Sequence, residues 1–142
     1  DFIIAYPGEE QVDFEQTIKL IEEVKFINSF SFIFSPRPGT IAADLPLIDR
    51  KKSIERLGIV QQKLFNNQLD FNKKIEDTTI NVLVENRTED KSKLFARSEY
   101  MTSVLFSGSD ELIGKIVKVK IKSSNQNTLF GEVMEHTNQK VA

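Results

Sequence analysis

Cysteine is absent from all 142 residues, as is tryptophan, and histidine occurs once. Without cysteine the chain forms no disulfide and offers no thiolate to a zinc ion or an iron–sulfur cluster. The single His136 cannot assemble a zinc centre alone, so any metal has to be held by residues elsewhere; near a polar terminus it reads as solvent-exposed and uninvolved. Long apolar runs are missing too. No stretch approaches the roughly 20 apolar residues of a membrane-spanning helix, and no basic leader with an apolar centre opens the chain, so no membrane contact is expected. Nor is there an excess of charge of one sign: 19 Lys and Arg stand against 21 Asp and Glu, a formal net charge of −2. Neither residues 1–76 nor residues 77–142 are basic overall. Any role with nucleic acid therefore has to rest on a local patch.

What is present is a soluble, globular balance, 39% apolar and 28% charged, in a length that suits one ordinary domain or two small ones. Asp1 is followed directly by an apolar run, Phe2 to Tyr6, which reads as a strand buried on both faces, entered without a lead-in, as in a piece of a longer polypeptide. Pro7-Gly8 ends it with a turn signal. From about 11 to 26 the period becomes helical, with Phe14, Ile18, Ile21 and Val24 on one side and Glu15, Lys19, Glu22 and Glu23 on the other. Phe30, Phe32 and Phe34 then alternate with Ser29, Ser31, Ile33 and Ser35, a strand with two unlike faces. Strand, helix and strand make a βαβ unit, hence parallel strands and a fragment of an α/β sheet or barrel.

Pro36, Pro38 and Gly39 force a loop, and after Pro46 a helical pattern runs from about Asp49 to Ile75. Its expected apolar stripe is Ile54, Leu57, Val60, Leu64, Phe71 and Ile75, with Gly58 weakening it by roughly 1 kcal/mol. From Thr79 the period is two. Thr79 to Glu85, Leu94 to Ser98, Ser103 to Phe106, Lys115 to Lys122 and Leu129 to Met134 read as five short strands of a small antiparallel barrel of the oligonucleotide-binding kind. The expected domains are thus an α/β segment with its long closing helix, 1–76, and an all-β barrel, 77–142.

Three motifs bear on chemistry. YPGEE places Pro7 and Gly8 at the C-terminal end of a parallel strand, where α/β sheets and barrels put their sites and main-chain atoms can approach a ligand; the plainer reading is punctuation. SPRPGT holds Arg37 between two prolines on a stiffened loop at the same end of the sheet, five donors suited to a carboxylate or phosphate; the plainer reading is a surface turn. VKVKIK puts Val117, Val119 and Ile121 on one strand face and Lys118, Lys120 and Lys122 on the other. Same-face residues lie about 6.6 Å apart, so the lysines can track a nucleic-acid backbone or simply guard a strand edge. Arg97, Tyr100 and Phe106 add a cation and rings of the sort that single-stranded RNA readers stack on, although Phe106 suits a core better.

Taken in order, DFIIAYPGEE, the helix opening on DFEQT, FSFIFSPRPGTIAADLP, the long helix ending QLDFNKK, and a β-module with LFARSE and LIGKIVKVKI resemble the radical S-adenosylmethionine (SAM) methylthiotransferases. Arg37-Pro38-Gly39 resembles their tRNA-modifying branch. The resemblance spans essentially the whole chain and implies the C-terminal part of a radical-SAM partial TIM barrel followed by a TRAM domain. It implies an enzyme that places a methylthio group on C2 of N6-isopentenyl-adenosine beside the anticodon. Its cofactors would be SAM and two [4Fe-4S] clusters bound outside this chain, its partners the tRNA anticodon arm and an electron donor, its location the cytoplasm. By the same resemblance SAM contact falls on Ile3, Ala5, Pro7 and Gly8, substrate or tRNA contact on Arg37, Arg97, Lys118, Lys120 and Lys122, and no catalytic or metal-binding residue lies within the chain, which alone is expected to be inert. Ala5 stands where that family usually has glycine, Ala96 and Ser98 where it has Gly and Thr, and Met101 where Asn is common. A non-catalytic RNA-binding TRAM protein and the sister enzyme acting on a ribosomal protein are the alternatives.

Overall fold

The computed structural model describes residues 1–134; His136 lies outside them. Two compact units divide the chain, Asp1–Gln68 and a second beginning at Leu69.

In the first unit, β1 (Phe2–Ile4) pairs in parallel with β2 (Ser31–Ile33), with Phe2 opposite Ser31, Ile3 opposite Phe32 and Ile4 opposite Ile33. Helix α1 (Gln11–Val24) makes the crossover. Its start is fixed by the Asp13 carboxylate, which accepts the Glu10 N–H at 2.9 Å, and its end by Lys25 in the left-handed region at φ +56°. Ile4, Ala5, Phe14, Ile21, Val60 and Leu64 form the core, with Phe2, Ile18, Phe26, Ile33, Ile48 and Leu57 packed around them.

Three expectations change here. β1 stops at Ile4 and is buried on one face only, because helices cover just one side of this two-stranded sheet; Ile3 is 61% exposed and its partner Phe32 is 55% exposed. Val24 is exposed, since the helix ends there and Phe26, edge-on to Phe2 at 5.3 Å, fills the core position instead. Ile54 is also exposed. Helix α2 (Arg50–Ile75) buries the phase Ser53, Arg56, Val60, Leu64, Gln68, Asn72 and Ile75, a regular helical stripe in which four of the hidden residues are polar.

In the second unit, β3 (Thr79–Arg87), β4 (Leu94–Ser98), β5 (Ser103–Ser107), β6 (Ile116–Ser124) and β7 (Thr128–Val133) close a barrel in the order β3-β4-β5-β7-β6. All neighbours are antiparallel except β5 and β7, which are parallel. An all-antiparallel barrel was expected; a closed ring of five strands cannot alternate direction all the way round, so one pair must run the same way. Alternate residues point inward, and Val82, Val84, Leu94, Ala96, Val104, Phe106, Val117, Val119, Ile121 and Leu129 are buried. The β6–β7 contact is close at Gly131, where a Cβ would stand 2.4 Å from the Lys120 carbonyl oxygen. Phe71 and Ile75 from the end of α2 pack on this core, and Asn72 donates from Nδ2 to the carbonyls of Asn125 and Gln126 at 2.8 and 2.9 Å, holding the β6–β7 loop.

Candidate functional site

Two proline–glycine turns leave the parallel sheet at the same edge. In the first, the Glu9 N–H donates to the Tyr6 carbonyl at 2.9 Å and Gly8 takes φ +88°, the left-handed third position that follows proline in a type II turn. In the second, the Thr40 N–H donates to the Arg37 carbonyl at 3.2 Å, its hydroxyl donates there at 2.8 Å, and Gly39 takes φ +82°. Because β1 and β2 are parallel, both strands end on one rim. There the Phe34 N–H donates to the Ile4 carbonyl at 2.8 Å, and the rings of Tyr6 and Phe34 meet edge-to-face at 5.0 Å. The juxtaposition expected from sequence is present.

The four residues assigned to SAM are not equivalent. Ile3 presents its side chain to solvent, whereas Ala5 and Pro7 are buried and can offer only main-chain atoms. Gly8 is exposed, and nothing lies within 4 Å of where its Cβ would stand, so the main chain there is open to a neighbour. Ala5 sits at φ +60°. That region costs an alanine about 1 kcal/mol that glycine would not incur. Arg37 is exposed, and its guanidinium meets no partner among the described residues.

Sequence reasoning missed the pair behind the first turn. Arg56 on α2 is 3% exposed, and from Nη1 it donates to the Glu9 carboxylate Oε1 at 2.6 Å and to the Glu9 carbonyl at 3.0 Å. Its Nη2 donates to Gln11 Oε1 at 3.3 Å, and the guanidinium lies 5.1 Å from the Phe14 ring centroid. The other Glu9 oxygen, Oε2, accepts the Ala5 N–H at 2.9 Å. The signal available in the sequence was the phase of α2: starting the stripe at Ser53 in place of Ile54 puts an arginine in the core, which demands a carboxylate partner.

On the barrel, Lys118, Lys120 and Lys122 share the outer face of β6 as expected, with Val117, Val119 and Ile121 inside. They are not alike. Lys118 is exposed and opposite Asn81; Lys120 is half-buried and opposite Glu132 and Thr79; Lys122 pairs with Glu132 at 3.4 Å. Arg97 is anchored: its Nε donates to Glu85 at 3.1 Å, its Nη1 to the Met101 carbonyl at 3.3 Å, and its guanidinium lies 5.3 Å from the Phe95 ring centroid. Met101, like Ala5, is a non-glycine residue in the left-handed region, at φ +62°, where asparagine is better tolerated. Phe106 is buried in the core, and Tyr100 meets Phe71 edge-on at 5.0 Å. Among the described residues no three His, Asp or Glu side chains come together to hold a metal, and no helix is long and apolar enough to cross a membrane.

Residues 73–134 match the TRAM domain. Over all 142 residues the chain is 62% identical to the tRNA-2-methylthio-N(6)-dimethylallyladenosine synthase of Pelagibacter ubique (strain HTCC1062), covering 32% of that protein. It is 43% identical over 135 residues to the synthase of the same name from Vesicomyosocius okutanii, covering 94% of this chain and 30% of that one. To the synthase of Yersinia pestis (strain Pestoides F) it is 40% identical over 141 residues, 98% of this chain and 30% of that one. The chain thus spans about a third of the length of the curated relatives it matches, and the part it matches is C-terminal.

Proposed function

We propose, from the premise that this chain belongs by sequence with the C-terminal part of the tRNA-2-methylthio-N(6)-dimethylallyladenosine synthases, that it is the substrate-holding end of a methylthiotransferase acting on C2 of N6-isopentenyl-adenosine beside the anticodon of tRNA. The observation that carries this reading is identity along the entire chain, 62% over 142 residues, rather than in one module.

The iron–sulfur clusters of such an enzyme find no ligands here, because the chain has no cysteine; in this reading they are bound by residues outside it. SAM is different, since the rim of β1 fits it: an exposed apolar Ile3 and an open main chain at Gly8 suit a flat, polar-edged nucleoside. When bound, SAM supplies the hydrogen-abstracting radical of the reaction. The residues of this chain orient and exclude. Ile3 walls the ligand with apolar surface, and the 6–9 turn brings main-chain groups to it. Arg37, fixed at its backbone by the Thr40 bonds and free at its guanidinium, serves a carboxylate or phosphate. The barrel holds the anticodon arm by backbone charge, chiefly through Lys118 and the half-buried Lys120, with Lys122 and Arg97 engaged with protein groups as well. An electron donor and a cytoplasmic setting complete the proposal.

Nucleoside mass spectrometry of tRNA from cells lacking the full-length gene tests the activity: the methylthio mark on isopentenyl-adenosine is expected to vanish, and its persistence overturns the reading. A gel shift of the chain with an anticodon stem-loop tests the face. Lys118→Glu with Lys120→Glu is expected to weaken binding at least several-fold through lost phosphate contacts, and undiminished binding removes the lysines from the proposal.

A further inference from the structure

We infer that Arg56 is a positioning residue for the turn at residues 6–9, acting through the Glu9 carboxylate. The inference rests on the reading of that turn as part of the SAM wall. A guanidinium only 3% exposed is costly to desolvate, and an apolar side chain of similar volume would fill the same space without that cost. What an apolar side chain cannot do is fix a direction. Arg56 turns its Nη1 and Nη2 on the Glu9 carboxylate, the Glu9 carbonyl and Gln11, while its Nε is buried with no acceptor among the described residues. The fork is therefore committed to the turn at the expense of another of its own donors.

Glu9 passes that constraint on. One carboxylate oxygen takes Arg56 and the other takes the Ala5 N–H, so a side chain 47 residues away in sequence sets the end of β1 where Ala5 adopts its left-handed backbone. A strained residue persists only where its surroundings over-determine it. Between Ala5 and Glu9 lie the three residues of the turn, closed by the Glu9 N–H to Tyr6 carbonyl bond at 2.9 Å. Both ends of the segment that brings the Gly8 main chain to the rim are thus tied to one carboxylate, and that carboxylate is tied to α2. Small misplacements of a ligand-bearing segment translate into large losses in binding and rate.

The test uses the full-length protein with its clusters reconstituted, and the variants Arg56→Gln, Arg56→Lys and Ile3→Thr. Equilibrium dialysis gives the SAM Kd, steady-state kinetics give KM for SAM and for tRNA separately, and hydrogen exchange reports on residues 5–9. Arg56→Gln is expected to raise the SAM Kd roughly ten-fold, to speed exchange at the Ala5 amide and to leave the tRNA KM unchanged. Arg56→Lys keeps the charge and one hydrogen bond but loses the fork, and is expected to fall between; if Arg56→Gln does not fold, this variant decides. A Kd unchanged in a folded Arg56 variant, together with a Kd raised by Ile3→Thr, overturns the role of Arg56 while keeping the SAM wall. A Kd indifferent to Ile3→Thr as well overturns the SAM reading on which the inference stands.

Discussion

The two units handle the same problem, the apolar face and open edges of a small sheet, in opposite ways. In the first, β1 and β2 put Ile4 and Ile33 under helices and leave Ile3 and Phe32, register partners, more than half exposed. In the second, five strands return on themselves, and alternate residues of every strand are sealed inside. The difference shows in where polar groups are spent. The polar groups buried in the second unit are small and neutral, Asn72, Ser98 and Thr102, whereas the first unit buries an arginine and binds it to the turn that carries the candidate ligand wall. Closure favours stability and frees the outer face for a partner; the open sheet keeps a surface for chemistry and needs side chains to hold its rim in place.

The largest expected effect probes closure. Phe106→Ala empties the centre of the barrel, where Phe106 is 1% exposed, and is expected to lower the opening free energy of β3–β7 by about 3–5 kcal/mol in native-state hydrogen exchange. A loss below about 1 kcal/mol would mean that the closed core is not what holds this unit. A smaller effect sharpens what the units share. Ala5→Gly in the first and Met101→Gly in the second each relieve a left-handed residue, and each is expected to stabilise its unit by about 1 kcal/mol, read as a rise in Tm. A gain in the barrel alone would show that the Glu9 carboxylate already compensates for the strain at Ala5.

The smallest effect is local to the barrel. Asp90 accepts hydrogen bonds from the Thr88 hydroxyl at 2.5 Å and from the Ser92 amide and hydroxyl at 3.0 and 2.9 Å. These bonds, that of Thr88 first, hold its carboxyl down at about 2 from an ordinary 3.8. A lowered carboxylate pKa means that the folded 88–93 loop gains from the ionised form; the gain is complete above pH 3.8 and fades as pH falls toward 2. An NMR titration of the Asp90 carboxyl is expected to give a midpoint near 2, and Asp90→Asn to abolish the pH dependence of the loop below 3.8. A midpoint near the ordinary value would refute the hydrogen-bonded loop.

Much of this was legible in the chain. Period-two runs located all five barrel strands to within two residues at either end, because alternation reflects a local pleat that faces one core. Pro7-Gly8 and Pro38-Gly39 announced their turns, since only glycine takes the left-handed position without strain. The long helix was legible in extent and, from Leu57 onward, in its buried face, but not at its first turn. Apolar residues alone pointed to Ile54, and the true stripe runs through Ser53 and Arg56, whose burial depends on Glu9, a residue the helical period cannot see. The lysine row was correctly placed on one face, but the Lys122–Glu132 pair that quiets one end of it crosses between strands.

Residue types and spacings thus determined by themselves which segments become helix, strand and turn, and that an α/β piece precedes a small barrel, because those choices are made by neighbours within a few positions. Tertiary structure alone decided which strand pair runs parallel, how Arg97 and Lys122 are occupied, and that Arg56 commands the turn at Glu9. Each of these is a meeting of groups far apart in the chain, and hydrogen bonds and buried charges are satisfied by distance in space, which no local pattern records.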